Sequence, residues 1–239
     1  LPARSAPRMA SGRRRASPRV ERELRSAAEV AELLNNAEIF SGEIRRAAIH
    51  LPKPTRAALY DEDSPLHRSA AGEFFEALVY EILLQEGESS PAVETIAAKF
   101  SDALYVPYDK YSRDGLWYSK DGGIRFKVSG RVAAEVDFLV KTADGVRVFG
   151  EVIVNPAKAG IASEVSAKRE LLERLYGCDV QFLLVCAKPV RELKFLRDGD
   201  ASVIIEDGNL FYKRLHPNEV LHKKSAPAKS TKRVDGSVW

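Results

Sequence analysis

Hydrophobic and polar positions along the chain change period several times, and each change marks an element. Apolar and small residues at helical spacing (Val20, Leu24, Ala27/Ala28, Val30, Leu33/Leu34) predict a first helix over most of 19–35. A second short helix is expected within 38–50, ended by Leu51-Pro52-Lys53-Pro54, where two prolines disfavour continuation. The strongest helical signal covers 69–85, with Ala71, Phe75, Leu78, Val79, Ile82 and Leu83 as its apolar face and Glu86-Gly87 in the position of a C-terminal cap. Ser90-Pro91 opens a further short helix, expected over 92–100. After an aromatic and cationic stretch, Asp121-Gly-Gly123 turns the chain into a strand at 124–128. Two apolar runs of strand length, 134–140 and 146–155, are then joined by Thr142-Ala-Asp-Gly145, whose Asp-Gly pair signals a β-hairpin. An amphipathic helix over 161–176 ends at Gly177. The nearly uninterrupted apolar run 180–187 reads as a central strand covered on both faces. Strand, helix and buried strand in this order imply a right-handed parallel crossover. Residues 190–195 are expected to be helical, 201–205 a short strand and 210–214 an edge strand. The whole predicts an α/β fold: a mixed central sheet flanked by helices, with an N-terminal helical extension.

Candidate chemistry enters at the hairpin. Side chains of a strand alternate between faces, so Glu135, Asp137, Leu139 and Lys141 share one face of the first strand, and Phe149, Glu151, Ile153 and Asn155 share one face of the second. Asp137 and Glu151 each interrupt a run otherwise made for burial. A carboxylate in such a place is unfavourable without a partner or a cation, and two of them on neighbouring strands suggest a divalent-metal site. Glu76 stands on the border of the apolar face of the 69–85 helix, with Glu73 and Tyr80 beside it.

Charge divides the chain. Residues 1–19 hold six arginines and no acid, and 221–239 hold five Lys/Arg against Asp235. With a net charge of +3 for the chain, the two ends carry about +10 and the remainder about −7. Basic ends rich in Pro, Ser and Ala read as flexible tails suited to non-specific phosphate binding, or simply to solubility. Tyr105, Tyr108, Tyr111, Trp117 and Tyr118 alternate with Lys110, Arg113 and Lys120. Such interleaving suits base stacking and phosphate contact, with Lys110, Arg113, Trp117 and Lys120 the candidate nucleic-acid-binding residues, and suits equally the capping of a sheet edge. Cys178 and Cys186 lack metal-ligand spacing, and His50, His67, His216 and His222 are scattered. No apolar run approaches the roughly 20 residues of a membrane span, and no secretory signal is read, so a soluble, cytoplasmic protein is the expectation. The organisation expected is a basic tail (1–19), a helical extension (20–66), an α/β core (67–215) and a second basic tail (216–239).

From about His67 to Ala187 the residues resemble the PD-(D/E)XK superfamily, the restriction-endonuclease-like nucleases that include Holliday-junction resolvases and repair nucleases. The matching parts are the helix Gly72-Glu-Phe-Phe-Glu76, the strand Glu135-Val-Asp137, the strand Glu151-Val-Ile-Val154 and the crossover that follows. The resemblance implies that Glu76, Asp137 and Glu151 bind Mg²⁺ or Mn²⁺, and that a lysine orients or deprotonates the attacking water and offsets charge on the phosphate. The family pattern places that lysine in Glu-x-Lys; here Ile153 holds its position. Three accounts stay open. The lysine has migrated to Lys168 on the next helix or to Lys141, Asn155 takes its part, or cleavage is lost while the fold and its affinity for nucleic acid or a partner remain. The expectation is a metal-dependent endonuclease acting on duplex or branched DNA, with Glu76, Asp137, Glu151 and Lys168 as its catalytic residues. A homodimer would match the two strands to be cut. The alternative is a non-cleaving, nuclease-like protein that binds nucleic acid or serves as an assembly partner.

Overall fold

The structure, a computed structural model, describes residues 26–98, 115–118, 123–155, 160–189 and 193–223. Helices α1 (Ser26–Asn36), α2 (Ser41–His50) and α3 (Lys53–Leu59) open the described chain. The prolines separate α2 from α3 rather than merely ending a helix. Pro54 lies in the first turn of α3, where a missing N–H costs no hydrogen bond. Helix α4 (His67–Ser89) follows and is buried on almost every side through its middle, from Phe74 to Leu83, because α1, α2 and α3 cover the side turned away from the sheet. It runs two residues past Gly87, which is not a cap. Gly87 is instead a point of close approach, where an added Cβ would lie 2.7 Å from Ile96 Cδ1.

The chain then forms β1 (Val93–Ala98), β2 (Gly115–Tyr118), β3 (Ile124–Val128), β4 (Arg131–Val136), β5 (Phe138–Thr142) and β6 (Arg147–Ile153), helix α5 (Ile161–Tyr176), β7 (Gln181–Cys186) and β8 (Ala201–Ile204). Five strands make a mixed sheet in the order β1-β5-β6-β7-β8, antiparallel from β1 to β6 and parallel from β6 to β8. Strands β2, β3 and β4 form a separate antiparallel sheet. The expected α/β class with a mixed, helix-flanked sheet and an N-terminal helical part is the fold observed.

Three local expectations are corrected. The segment 92–100, expected helical, contains β1, which pairs with β5 from Val93 opposite Thr142 to Ala98 opposite Phe138. Burial of Val93, Ile96 and Ala98 against the sheet and α4 outweighs the helix preference of the alanines. The segment 210–214, expected as an edge strand, lies in a 3-10 helix (Gly208–Arg214) that starts after Asp207 in the left-handed region (φ 52°) and buries Tyr212 against Phe74 of α4. Of the expected helix at 190–195, the described residues from Leu193 onward form a turn closed by Leu196 N–H donating to Leu193 O.

Each face of the five-stranded sheet carries its own core. Phe138, Val140, Val148, Leu183 and Val185 pack with α1 to α4. Leu139, Phe149, Phe182 and Leu184 pack on the opposite face with Val165 and Leu172 of α5 and with Ile124, Phe126 and Val136 of the small sheet. Asp137, between β4 and β5, is therefore the residue at which the chain passes from one sheet to the other.

Candidate functional site

The hairpin β5–β6 assembles the site. The β5–β6 ladder ends with Phe138 opposite Gly150, and just beyond it Asp137 lies close enough to Glu151 for their charges to interact. Asp137 N–H donates to Gly150 O at 3.0 Å, and its Oδ2 accepts the Val152 N–H at 2.7 Å. The carboxylate thus takes the place of a backbone acceptor where the chain leaves the sheet, and its orientation is fixed by main chain. The close passage requires Gly150, since a Cβ there would lie 2.0 Å from Phe138 Cζ.

Glu151 occupies the same face as Phe149 and Ile153, the face under α5. Its Oε1 accepts from Lys168 Nζ at 2.7 Å, and Lys168 also lies 3.2 Å from Glu164 Oε1, one turn earlier on α5. The rotation of α5 is set by the next residue. Arg169 is buried, donates to Val180 O at 2.8 Å, pairs with Asp200 and lies over the Phe182 ring at 4.7 Å. With Arg169 pinned to β7, Lys168 is turned onto β6.

The electrostatics follow from burial. Removal from water, followed by the charge of Asp137, pushes the Glu151 carboxyl up to about 8, against the opposing pull of Lys168. Burial alone would lower the Lys168 amine, but the carboxylates of Glu151 and Glu164 outweigh it and hold the amine above its ordinary range. Hard oxygen donors facing each other, one of them kept protonated to higher pH by burial and by its neighbour, fit a divalent cation, which favours the ionised form.

The structure thus joins three of the four catalytic candidates: Asp137, Glu151 and Lys168. Glu76 is half-buried on α4, which packs on the opposite face of the sheet from α5. Among the described residues no group of three or more His, Cys, Asp or Glu is arranged to hold a metal ion, so the carboxylates brought together are the pair from β5–β6. Lys141 is paired with Glu94 of β1 at 2.9 Å. It lies four residues along the strand from Asp137, roughly 13 Å at the rise of a β-strand. Ile153 packs against the α5 core. Asn155 is exposed. Of the nucleic-acid-binding candidates, Lys110, Arg113 and Lys120 lie outside the described residues, as does the side chain of Trp117; its backbone pairs with Arg125 in β2–β3. Sequence reasoning missed Glu164, although its four-residue spacing before Lys168 was a usable signal. It also missed the Val152 N–H, for which no sequence signal exists.

No family model matches the chain. No curated protein matches it in sequence. Among solved structures, protein VC1899 from Vibrio cholerae is similar over 86% of this chain and 57% of its own, at 14% identity and a TM-score of 0.40. The chain thus spans somewhat over half the length of that protein.

Proposed function

We propose that the chain is a metal-dependent endonuclease that hydrolyses phosphodiester bonds of DNA. The observation that carries this reading is the contact of Lys168 with Glu151 across from Asp137. Two oxygen donors and an amine, the chemical parts of the Glu-x-Lys arrangement, meet although the lysine comes from α5 and Ile153 holds its usual position. Asp137 and Glu151 would hold Mg²⁺ or Mn²⁺, without Glu76, which α4 carries on the opposite face of the sheet. When bound, the cation supplies a Lewis acid for the phosphate and a more acidic water. Lys168 brings a positive charge and up to three N–H donors to orient that water and offset charge gathering on the phosphate. Asp137, tied through Oδ2 to the Val152 N–H, keeps its place without rearrangement. DNA as the substrate is supported by the family resemblance, the basic ends and the cationic aromatic stretch at 105–120.

The deciding experiment incubates the protein with plasmid, branched and single-stranded DNA in Mg²⁺ or Mn²⁺. Wild type is expected to cleave. Asp137→Ala and Lys168→Met are expected to slow cleavage by on the order of 10²-fold or more, the usual scale for losing a positioned acid–base group. Absence of cleavage by wild type, or an unimpaired Asp137→Ala variant, overturns the assignment. Ile153 favours one second reading, a non-cleaving relative that binds nucleic acid or a protein partner. That reading predicts a salt-sensitive gel shift that survives Asp137→Ala and no cleavage under any of these conditions.

A further inference from the structure

Lys168 has two anchors in opposite situations. Glu151, with its side chain 12% exposed, belongs to the sheet beneath; Glu164, 63% exposed, lies on the same helix and faces solvent. The amine touches both at once, at 2.7 Å and 3.2 Å, and its flexible four-carbon stem lets it give up the first contact while keeping the second. We propose that Lys168 is a tethered counter-cation, which yields Glu151 to an incoming divalent cation and stays held by Glu164. The inference rests on the metal-site reading above and extends it to how the site is filled.

Without a metal, the carboxyl groups of Asp137 and Glu151 face each other across β5–β6, and among the described residues the Lys168 amine is the cation in contact with Glu151. A divalent cation on the same carboxylates stands within a few ångströms of that ammonium. Repulsion in a partly buried place is poorly screened by salt, so the amine and the metal compete for Glu151. An amine driven fully into solvent would be lost to the reaction. Glu164, one helical turn away at 3.2 Å, keeps it beside Glu151. Glu164 is thus a positioning residue that acts through Lys168.

Titration calorimetry of Mn²⁺ into the whole 239-residue chain without DNA tests this, comparing wild type, Asp137→Ala, Lys168→Met, Glu164→Gln and the Lys168→Met/Glu164→Gln double variant. Far-UV circular dichroism and thermal melts confirm folding, and Lys168→Gln replaces Lys168→Met should the latter not fold. Lys168→Met is expected to tighten Mn²⁺ binding about fivefold or more, the lower range of coupling between two ligands of one site. Glu164→Gln is expected to weaken binding when Lys168 is present and to have no effect when it is absent, a non-additivity that a helix-stapling role does not produce. Unchanged or weaker binding by Lys168→Met overturns the inference. Equal weakening by Glu164→Gln in both backgrounds overturns it too, since Glu164 is then a direct ligand. Mn²⁺ binding that requires Asp137 but ignores Lys168 overturns this inference alone. No Mn²⁺ binding by wild type overturns the metal-site reading along with it.

Discussion

At the scale of the residue, the chemistry lies in how Glu151 is situated. Its carboxyl is pushed up to about 8 by burial and then by Asp137, so the folded chain holds a proton that the unfolded chain releases near the ordinary 4.5. Stability of the metal-free protein therefore falls as pH rises from about 4.5 through about 8, the direction linkage requires when the native state binds more protons. Urea denaturation between about pH 5 and about pH 9 should show this decline in wild type, and a flatter profile in Glu151→Gln and in wild type with Mn²⁺, which favours the ionised form. Parallel profiles for wild type and Glu151→Gln would remove Glu151 as the cause. Asp137 and Glu151 were legible in the sequence because a carboxylate inside an apolar strand is conspicuous. Lys168 was legible only as one of several cations, since the turn of α5 that brings it to Glu151 is fixed by Arg169 reaching β7 and Asp200, residues remote in sequence.

At the scale of the element, the hairpin depends on Gly150 for space and on Gly145 for backbone freedom. Gly150 faces the ring of Phe138, with no room for a methyl group. Gly150→Ala is expected to destabilise the protein by about 1–3 kcal/mol, the usual range for overpacking a filled core. It should also impair the site, because Phe138 follows Asp137 and Gly150 precedes Glu151. Gly72, on α4 with nothing within 4 Å of an added Cβ, is expected to respond with the opposite sign, gaining about 0.4–1 kcal/mol on change to alanine. Chemical denaturation of the two variants beside wild type checks both. The hairpin itself was legible because Asp144-Gly145 and the flanking β-rich runs are local signals, and Gly145 takes the expected positive φ (86°). Strand β1 was not, because its alanines and glutamate are locally helix-compatible and only pairing with β5, some 40 residues away, decides its state.

At the scale of the whole molecule, the N-terminal helices belong to the main core. Ala27, Val30, Ile44, Ala47 and Leu59 pack into one cluster with α4 and the five-stranded sheet. Ala27 N–H donates to the Gln181 side chain of β7. The buried Glu81 of α4 accepts from Arg46 and pairs with His50 of α2. Arg56 of α3 donates to Val220 O and Lys223 O and ties the end of the described chain to its beginning. A chain starting at residue 67 is therefore expected not to fold, since it exposes the apolar back of α4 and leaves Glu81 without these partners. Circular dichroism and size-exclusion chromatography check this, and a folded, monomeric truncation would contradict it. Among the described residues no helix is long and apolar enough to cross a membrane.

The sequence by itself determined what depends on near neighbours: the periods of α4 and α5, the hairpin turn, the apolar central strand and the two carboxylates that interrupt apolar runs. These follow from local sterics and from the free energy of burying one face of an element. Only the tertiary structure decided that 92–98 is a strand, that α1 to α3 bury the back of α4, and that Lys168 rather than Lys141 meets Glu151. Each of these is settled by pairing or packing between segments far apart in the chain, where desolvation and long-range contact outweigh local preference.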